Sequence, residues 1–249
     1  MIKFYLQNKR DEAKQYFYKI INEAVMSSSA ADAYGELGEI ALLNGDLTEA
    51  EKNYSQITVL ARVNPDKIND AKYKLARVKF YNGDVEEAQQ LLADILKNLK
   101  DDNANDALSL SLLLNTSKND SINLMLFAEA EFLADQKKFI DAAKKYELIA
   151  KNPQAFILHS IASIRLAEME LALDNYPRSI ELFELVVEEG EKNIYADKAL
   201  YLLAQIFQYG IGDNAKAIEM YEMLLAKFPS SIYIDKARNE ILKLREKIS

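Results

Sequence analysis

The chain is predicted to be all-α, a right-handed superhelical solenoid of antiparallel helix pairs, and three observations carry that reading. Only 7 glycines and 4 prolines punctuate 249 residues, too few for the turns that a sandwich or barrel needs about every ten residues. Segments also echo one another at a single period. Asn44-Gly45-Asp46-Leu47-Thr48-Glu49-Ala50 returns 38 residues on as Asn82-Gly83-Asp84-Val85-Glu86-Glu87-Ala88. Ile194-Tyr195-Ala196-Asp197-Lys198-Ala199 returns, again 38 residues on, as Ile232-Tyr233-Ile234-Asp235-Lys236-Ala237. Finally, a small residue recurs at Ala13, Ala50, Ala88, Ala142, Ser179 and Ala217. Four residues after each stands Phe17, Tyr54, Leu92, Tyr146, Phe183 or Tyr221, and three further on Ile20, Ile57, Ile95, Ile149, Val186 or Leu224. Spacings of four and three line one helix face, with the small residue where two backbones approach.

Taken in order, residues 1–28 make a half repeat whose helix, Asp11–Ala24, is of the second type, with no first helix before it. An opening in mid-repeat reads as the C-terminal part of a longer chain. Two repeats follow at about 29–66 and 67–100. In each, a glycine (Gly45, Gly83) closes the first helix in the left-handed conformation. An aspartate (Asp46, Asp84) then caps the second helix, and Glu49 or Glu87 three residues later completes a capping box. The step from Ala88 to Ala142 is 54 residues instead of 37 or 38. The surplus maps to 101–118, where Ala104–Leu114 reads as a short apolar spacer helix packed into the superhelix. Repeats at 119–152, 153–192 and 193–230 complete the array, the last with its turn lengthened by one residue at Gly210-Ile211-Gly212-Asp213. Residues 231–249 form a capping helix with a charged outer face, and 1–249 reads as a single array.

Composition narrows the function classes. The balance of 31 basic against 39 acidic residues gives no basic stripe to neutralise phosphates, so no nucleic-acid partner is expected. Without cysteine there are no disulfides, thiolate nucleophiles or cysteine-ligated metals. No stretch approaches ~18 apolar residues, so no direct membrane insertion is expected, and Met1–Gln7 lacks the features of a signal peptide. His159 is the sole histidine and has no second histidine or cysteine for a triad or metal site, so it reads as a packing or surface residue. Glu188-Glu189-Gly190-Glu191 lacks the alternating oxygen ligands of a cation loop and reads as a solvated helix end. Gly210-Ile211-Gly212 is not followed by the lysine and hydroxyl of a phosphate loop. The expectation is a protein that is not an enzyme, with no catalytic or metal residues and no cofactor.

The residues resemble the tetratricopeptide repeat family. Its pattern is met by Tyr34, Leu37, Gly38, Gly45, Ala50 and Tyr54, and again by Leu200, Leu203, Ala204, Phe207, Ala217, Tyr221 and Pro229. The lengthened last turn is similar to that of Sel1-type repeats. The period exceeds the family's 34 residues, and the first helices of the third and fourth repeats match less well. The resemblance implies that the first helix of each hairpin lines a concave surface, with its second, fifth, ninth and thirteenth positions inward. Carried over, those positions are Asp70, Tyr73, Arg77 and Tyr81, then Lys198, Tyr201, Gln205 and Tyr209. Tyrosine suits such a surface because it offers a large apolar area with one polar tip; the alternative is that these residues, among the 14 tyrosines of the chain, only pack between helices.

The implied function is a non-catalytic scaffold binding a partner protein or peptide in a multiprotein assembly. The alternative is a structural spacer or self-association module, with a homo-oligomer as the partner. Members that grip the acidic tail of a chaperone use lysine and asparagine where this chain has Gly35 and Glu39, so that mode is not expected. The segment Lys227–Ala237 resembles the inter-repeat segment of bacterial cell-envelope members, which favours a periplasmic or cell-envelope setting over a cytoplasmic one.

Overall fold

The computed structural model describes residues 9–99, 102–152 and 154–248. Among these the chain is all-α, with thirteen α-helices and no strand. It divides into two compact units, Met1–Lys138 and Phe139–Ser249. The first holds α1 (Arg10–Glu23), α2 (Ser28–Asn44), α3 (Leu47–Thr58), α4 (Pro65–Asn82), α5 (Val85–Ile95), α6 (Ala104–Thr116) and α7 (Ser121–Asp135). From α1 to α6 each helix packs on the next, while α7 lies against α4 and reaches α2. The second unit holds α8 (Phe139–Ala150), α9 (Phe156–Ala172), α10 (Tyr176–Glu188), α11 (Ala196–Gln205), α12 (Asn214–Lys227) and α13 (Ile234–Ile248), each packed on its neighbour. The stretch 119–152 supplies α7 to one unit and α8 to the other. The N-terminal eight residues of the segment read as a half repeat, and Ser249 of the capping segment, lie outside the described residues.

The recurring small residues form the seams between helices. Ala50, Ala88, Ala142, Ser179 and Ala217 are wholly buried, as are Tyr54, Leu92, Tyr146, Phe183 and Tyr221 four residues on. Ser179 is the polar member, and its hydroxyl donates to the Ala167 carbonyl at 2.9 Å, which satisfies it in the seam. Helices of the two types bury different fractions of their surface. α2 lies between α1 and α3 and buries residues nearly all round, from Ala30 to Leu42. α3 buries one stripe, Ala50, Asn53, Tyr54 and Ile57. At Gly38, in α2, an added Cβ would strike the Tyr54 ring, so two backbones meet there only because glycine has no side chain.

The hairpin turns share one geometry. Gly45, Gly83 and Gly212 are left-handed, and the same place is taken by Lys137 (φ 61°) and Asp174 (φ 56°). The next amide bonds back to the preceding helix: Asp46 to Ala41, Asp84 to Lys79, Lys138 to Leu133 and Asn175 to Glu170. That bond corrects the capping boxes expected from sequence. Asp46 does cap, accepting from the Glu49 amide at 2.9 Å, but Asp84 makes no side-chain cap. Neither glutamate returns to the capping amide, because the preceding helix already holds that donor. Glu49 instead meets Lys52 and Asn53, and Glu87 meets Lys79.

Two further features were not foreseen. The extra residue of the last hairpin is absorbed inside the first helix, as a π-helical turn at Ile206–Ile211, and the Asp213 amide spans back to Phe207. The loops that enter first helices begin with side-chain turns. Asn64, Asn152, Asn193 and Ser231 each accept from the amide two residues on, at 3.0–3.1 Å.

Candidate partner-binding face

In the first unit, the predicted inner-face residues lie along α4. Asp70 pairs with Lys74 at 3.3 Å, and Lys74 reaches Glu39 of α2 at 3.0 Å. Glu39 in turn accepts the Tyr54 hydroxyl at 3.1 Å. Burial, with the Glu39 carboxylate beside it, drives the Tyr54 phenol far above its usual range. Tyr73 is half-buried. One turn on, Arg77 Nη2 donates to both Asp135 oxygens at 2.7 and 2.8 Å and to the Tyr81 hydroxyl at 2.6 Å. The Tyr81 hydroxyl donates to Asp135 at 2.7 Å, and its ring meets Phe132 at 5.4 Å. Burial pushes the Tyr81 phenol up; burial opposes the charge on Arg77, but Tyr81 and Asp135 more than restore it. Asp135 and Phe132 belong to α7. The chain's own helix therefore takes up the polar atoms of Arg77 and Tyr81, and Tyr81 is 8% exposed.

The second unit leaves more of its aromatic surface open. Lys198 Nζ lies 2.6 Å from Glu168 of α9, which also receives Arg165 at 2.9 Å. Burial would raise the Glu168 carboxyl, yet Arg165 and Lys198 together hold it below the usual range. Tyr201 stacks on Tyr233 with ring centroids 4.7 Å apart and 16° between planes, and Tyr221 lies 5.9 Å away. Gln205 donates to the Tyr201 hydroxyl at 3.4 Å. Tyr209 is 67% exposed, and its hydroxyl donates to Glu240 of α13 at 3.1 Å. Gln208 donates to the same carboxylate at 2.8 Å while accepting the Tyr221 hydroxyl at 2.8 Å. Hydrogen bonds from Lys243 and Gln208 keep the Glu240 carboxyl low. Both Gln208 and Tyr209 lie in the π-helical turn, and both reach Glu240 of α13.

Sequence reasoning missed Glu168, Gln208, Tyr233 and Glu240, which complete the surroundings of the four predicted residues. Tyr233 had a signal, since it occupies the position of Tyr195 in the 38-residue echo. The carboxylates had none, because ion pairs between successive helices leave no mark in a single sequence. The resulting surface is an aromatic shelf rimmed by charges that are already paired, which suits docking of apolar and aromatic groups. Among the described residues no group of three or more His, Cys, Asp or Glu is placed to hold a metal ion. No helix among them is long and apolar enough to cross a membrane. His159 lies 3.5 Å from Glu189, just past the end of α10, and is about one-third exposed.

Stacked hairpins with small-residue seams define a helical-repeat protein. Two models described as tetratricopeptide repeat match it, one over residues 4–65 and the other over 70–108 and 198–231, together more than half of the chain. The chain belongs to the tetratricopeptide repeat family. Repeats of this family generally act as protein–protein interaction scaffolds and are typically non-catalytic. Among solved structures, the chain is similar to the TPR domain of P58(IPK), at 17% identity and a TM-score of 0.39, over 94% of this chain and 60% of that one. It therefore spans about 60% of that relative's length. It is also similar to a Podosopora anserina protein described as a kinesin light chain with nearly identical TPR-like repeats. That match has 19% identity and a TM-score of 0.37, over 78% of this chain and 93% of that one. No curated protein matches the chain.

Proposed function

We propose that this chain is a non-catalytic scaffold that holds a partner protein or peptide on the inner face of its second unit, within a larger assembly. The observation that carries the reading is the contrast between the two sets of inner tyrosines. Tyr81 is buried and bonded to the chain's own α7, whereas Tyr209 stands 67% exposed beside the Tyr201–Tyr233 stack. A partner would lay apolar or aromatic side chains on that shelf and take main-chain hydrogen bonds from Gln205 and the phenol tips. Lys198 would orient it from the edge.

The test is site-specific photo-cross-linking in cells of the source organism. A cross-linking residue is placed at Tyr209 and, separately, at Glu184, which is exposed on the second-type helix α10. One discrete adduct at Tyr209, absent at Glu184 and lost on competition by the unlabelled chain, supports the reading. Adducts of equal pattern at both positions overturn it and leave a spacer or self-association role. The cell-envelope setting rests on the resemblance of Lys227–Ala237 alone. Fractionating cells that express the full-length native gene product tests it, and recovery in the cytoplasmic fraction refutes it.

A further inference from the structure

The two Asn-Gly pairs of the chain, Asn44-Gly45 and Asn82-Gly83, are chemically alike and sit in equivalent turns. Such a pair can rearrange without an enzyme, because glycine offers little steric hindrance around its amide nitrogen. The glycine nitrogen attacks the asparagine Cγ, a new C–N bond closes a five-membered succinimide, and the side-chain nitrogen leaves as ammonia with the amide proton. Water then opens the ring at one carbonyl or the other, giving aspartate or isoaspartate. On the nucleophile side the two turns match. The Gly45 amide donates to Leu42 at 2.9 Å and the Gly83 amide to Phe80 at 3.0 Å, so each must first fray from its helix end.

The electrophiles differ. Asn44 is exposed, but its Oδ1 accepts from Arg10 Nη1 of α1 at 2.8 Å, which restrains the side-chain amide. Asn82 is exposed, and no hydrogen bond among the described residues holds its amide. We infer that Asn82–Gly83 is a spontaneous deamidation and isoaspartate site of this protein, and that Arg10 protects its twin at Asn44–Gly45. The reaction strikes a sensitive place. A new carboxylate at the C-terminal end of α4 opposes the helix dipole. An isoaspartyl link adds a backbone carbon to the turn and removes the register of the Asp84-to-Lys79 bond. Tyr81, the α4 anchor for Asp135, is the preceding residue.

The full chain is incubated at mildly alkaline pH and digested, and the acid and isoacid forms of both peptides are followed over time by mass spectrometry. Conversion at Asn82 several-fold faster than at Asn44 is expected. Arg10→Ala, shown by circular dichroism to be folded, should raise the Asn44 rate towards that of Asn82 and leave Asn82 unchanged. Equal rates in the unmodified chain overturn the inference. So does an Asn44 rate that stays low or falls in Arg10→Ala, because the guanidinium would then be doing nothing or activating the amide. The comparison within the unmodified chain needs no variant and stands even where Arg10→Ala does not fold.

Discussion

Alanine substituted at Gly35 and at Gly38 should move stability in opposite directions, although the two glycines lie three residues apart in α2. Both replacements gain helix propensity, about 0.8–1.0 kcal/mol for glycine to alanine in a helix interior. At Gly35 the new methyl would find only Ile57 Cδ1 at 3.9 Å, an ordinary contact, so most of that gain should survive. At Gly38 it would fall against three atoms of the Tyr54 ring. That ring cannot move aside, since it is wholly buried and its hydroxyl is tied to Glu39. Overpacking of a filled core costs about 1–3 kcal/mol, and the rigid neighbour puts this site at the upper end. Gly38→Ala should therefore be about 2 kcal/mol less stable than the parent, and Gly35→Ala about 0.5–1 kcal/mol more stable. For a unit of this size each kcal/mol moves the melting temperature by roughly 2–4 °C. Paired thermal melts by circular dichroism, with urea titrations to extract free energies, read both. A Gly38→Ala protein as stable as the parent would refute the close approach of α2 and α3 at that point.

Other substitutions probe the turns and the inner face. Lys137 holds the left-handed position that glycine takes in three other turns, so Lys137→Gly should stabilise by about 1 kcal/mol. Asp174→Gly should gain less in the same melts, because aspartate tolerates that conformation and its carboxylate accepts from Tyr176. Asp135→Ala strips the charge partner of Arg77 and the acceptor of Tyr81, and should cost about 2–3 kcal/mol in urea unfolding. Tyr209→Ala, on an exposed side chain, should stay within about 0.5 kcal/mol. Glu168 has a folded pKa below its usual value. Its contribution is thus fully present above the unfolded glutamate pKa of about 4.3 and is lost as pH falls through the lower folded value. Subtracting the Glu168→Gln curve from that of the parent should leave a difference flat near neutrality that shrinks only in acid. A difference that grows as pH falls would reverse the sign.

How far the sequence could be read depended on whether a feature lay within one helix or between two. The seam residues are local: a small residue followed at four and seven by large apolar side chains needs no partner to be recognised, and those positions are buried except for the half-buried Ile20 of α1. The glycine turns were legible for the same reason. Lys137 and Asp174 were not, since nothing in a lysine announces a positive φ; only their place in the repeat does. The expected capping boxes failed at the boundary between helices. The Asp46 and Asp84 amides are claimed by the preceding helix, a competition invisible in the motif itself. The side-chain turns at Asn64, Asn152, Asn193 and Ser231 could have been found, because a short polar residue stands before each first helix, and before a proline at Asn64 and Asn152. The inner face was the least legible. Position within the helix singled out Arg77 and Tyr81, but nothing in the α4 sequence says that Asp135, over fifty residues later, takes up both.

Ion pairs along the proposed inner face join the first helices of successive hairpins, and they constrain how a partner proposed to dock there would bind. Lys74 reaches Glu39 from α4 to α2, Arg77 reaches Asp135 from α4 to α7, and Lys198 reaches Glu168 from α11 to α9. Between α11 and α13 the link is Gln208 and Tyr209 to Glu240, backed by Lys243. A partner that recruited these charges would have to break the rungs of the stack, and a half-buried charge left without its partner is costly. What the face offers at little cost is the open edge of the Tyr201–Tyr233 stack and the ring of Tyr209. Affinity should then arise mainly from apolar and aromatic burial, which salt screens little, unlike exposed charge pairs separated by more than a Debye length of about 8–10 Å. Once the partner cross-linked at Tyr209 is purified, its dissociation constant should change less than about threefold between 50 mM and 500 mM salt, while Tyr209→Ala weakens it by about tenfold or more. A steep loss of affinity with salt, with Tyr209→Ala neutral, would show that the partner engages the charged rungs after all.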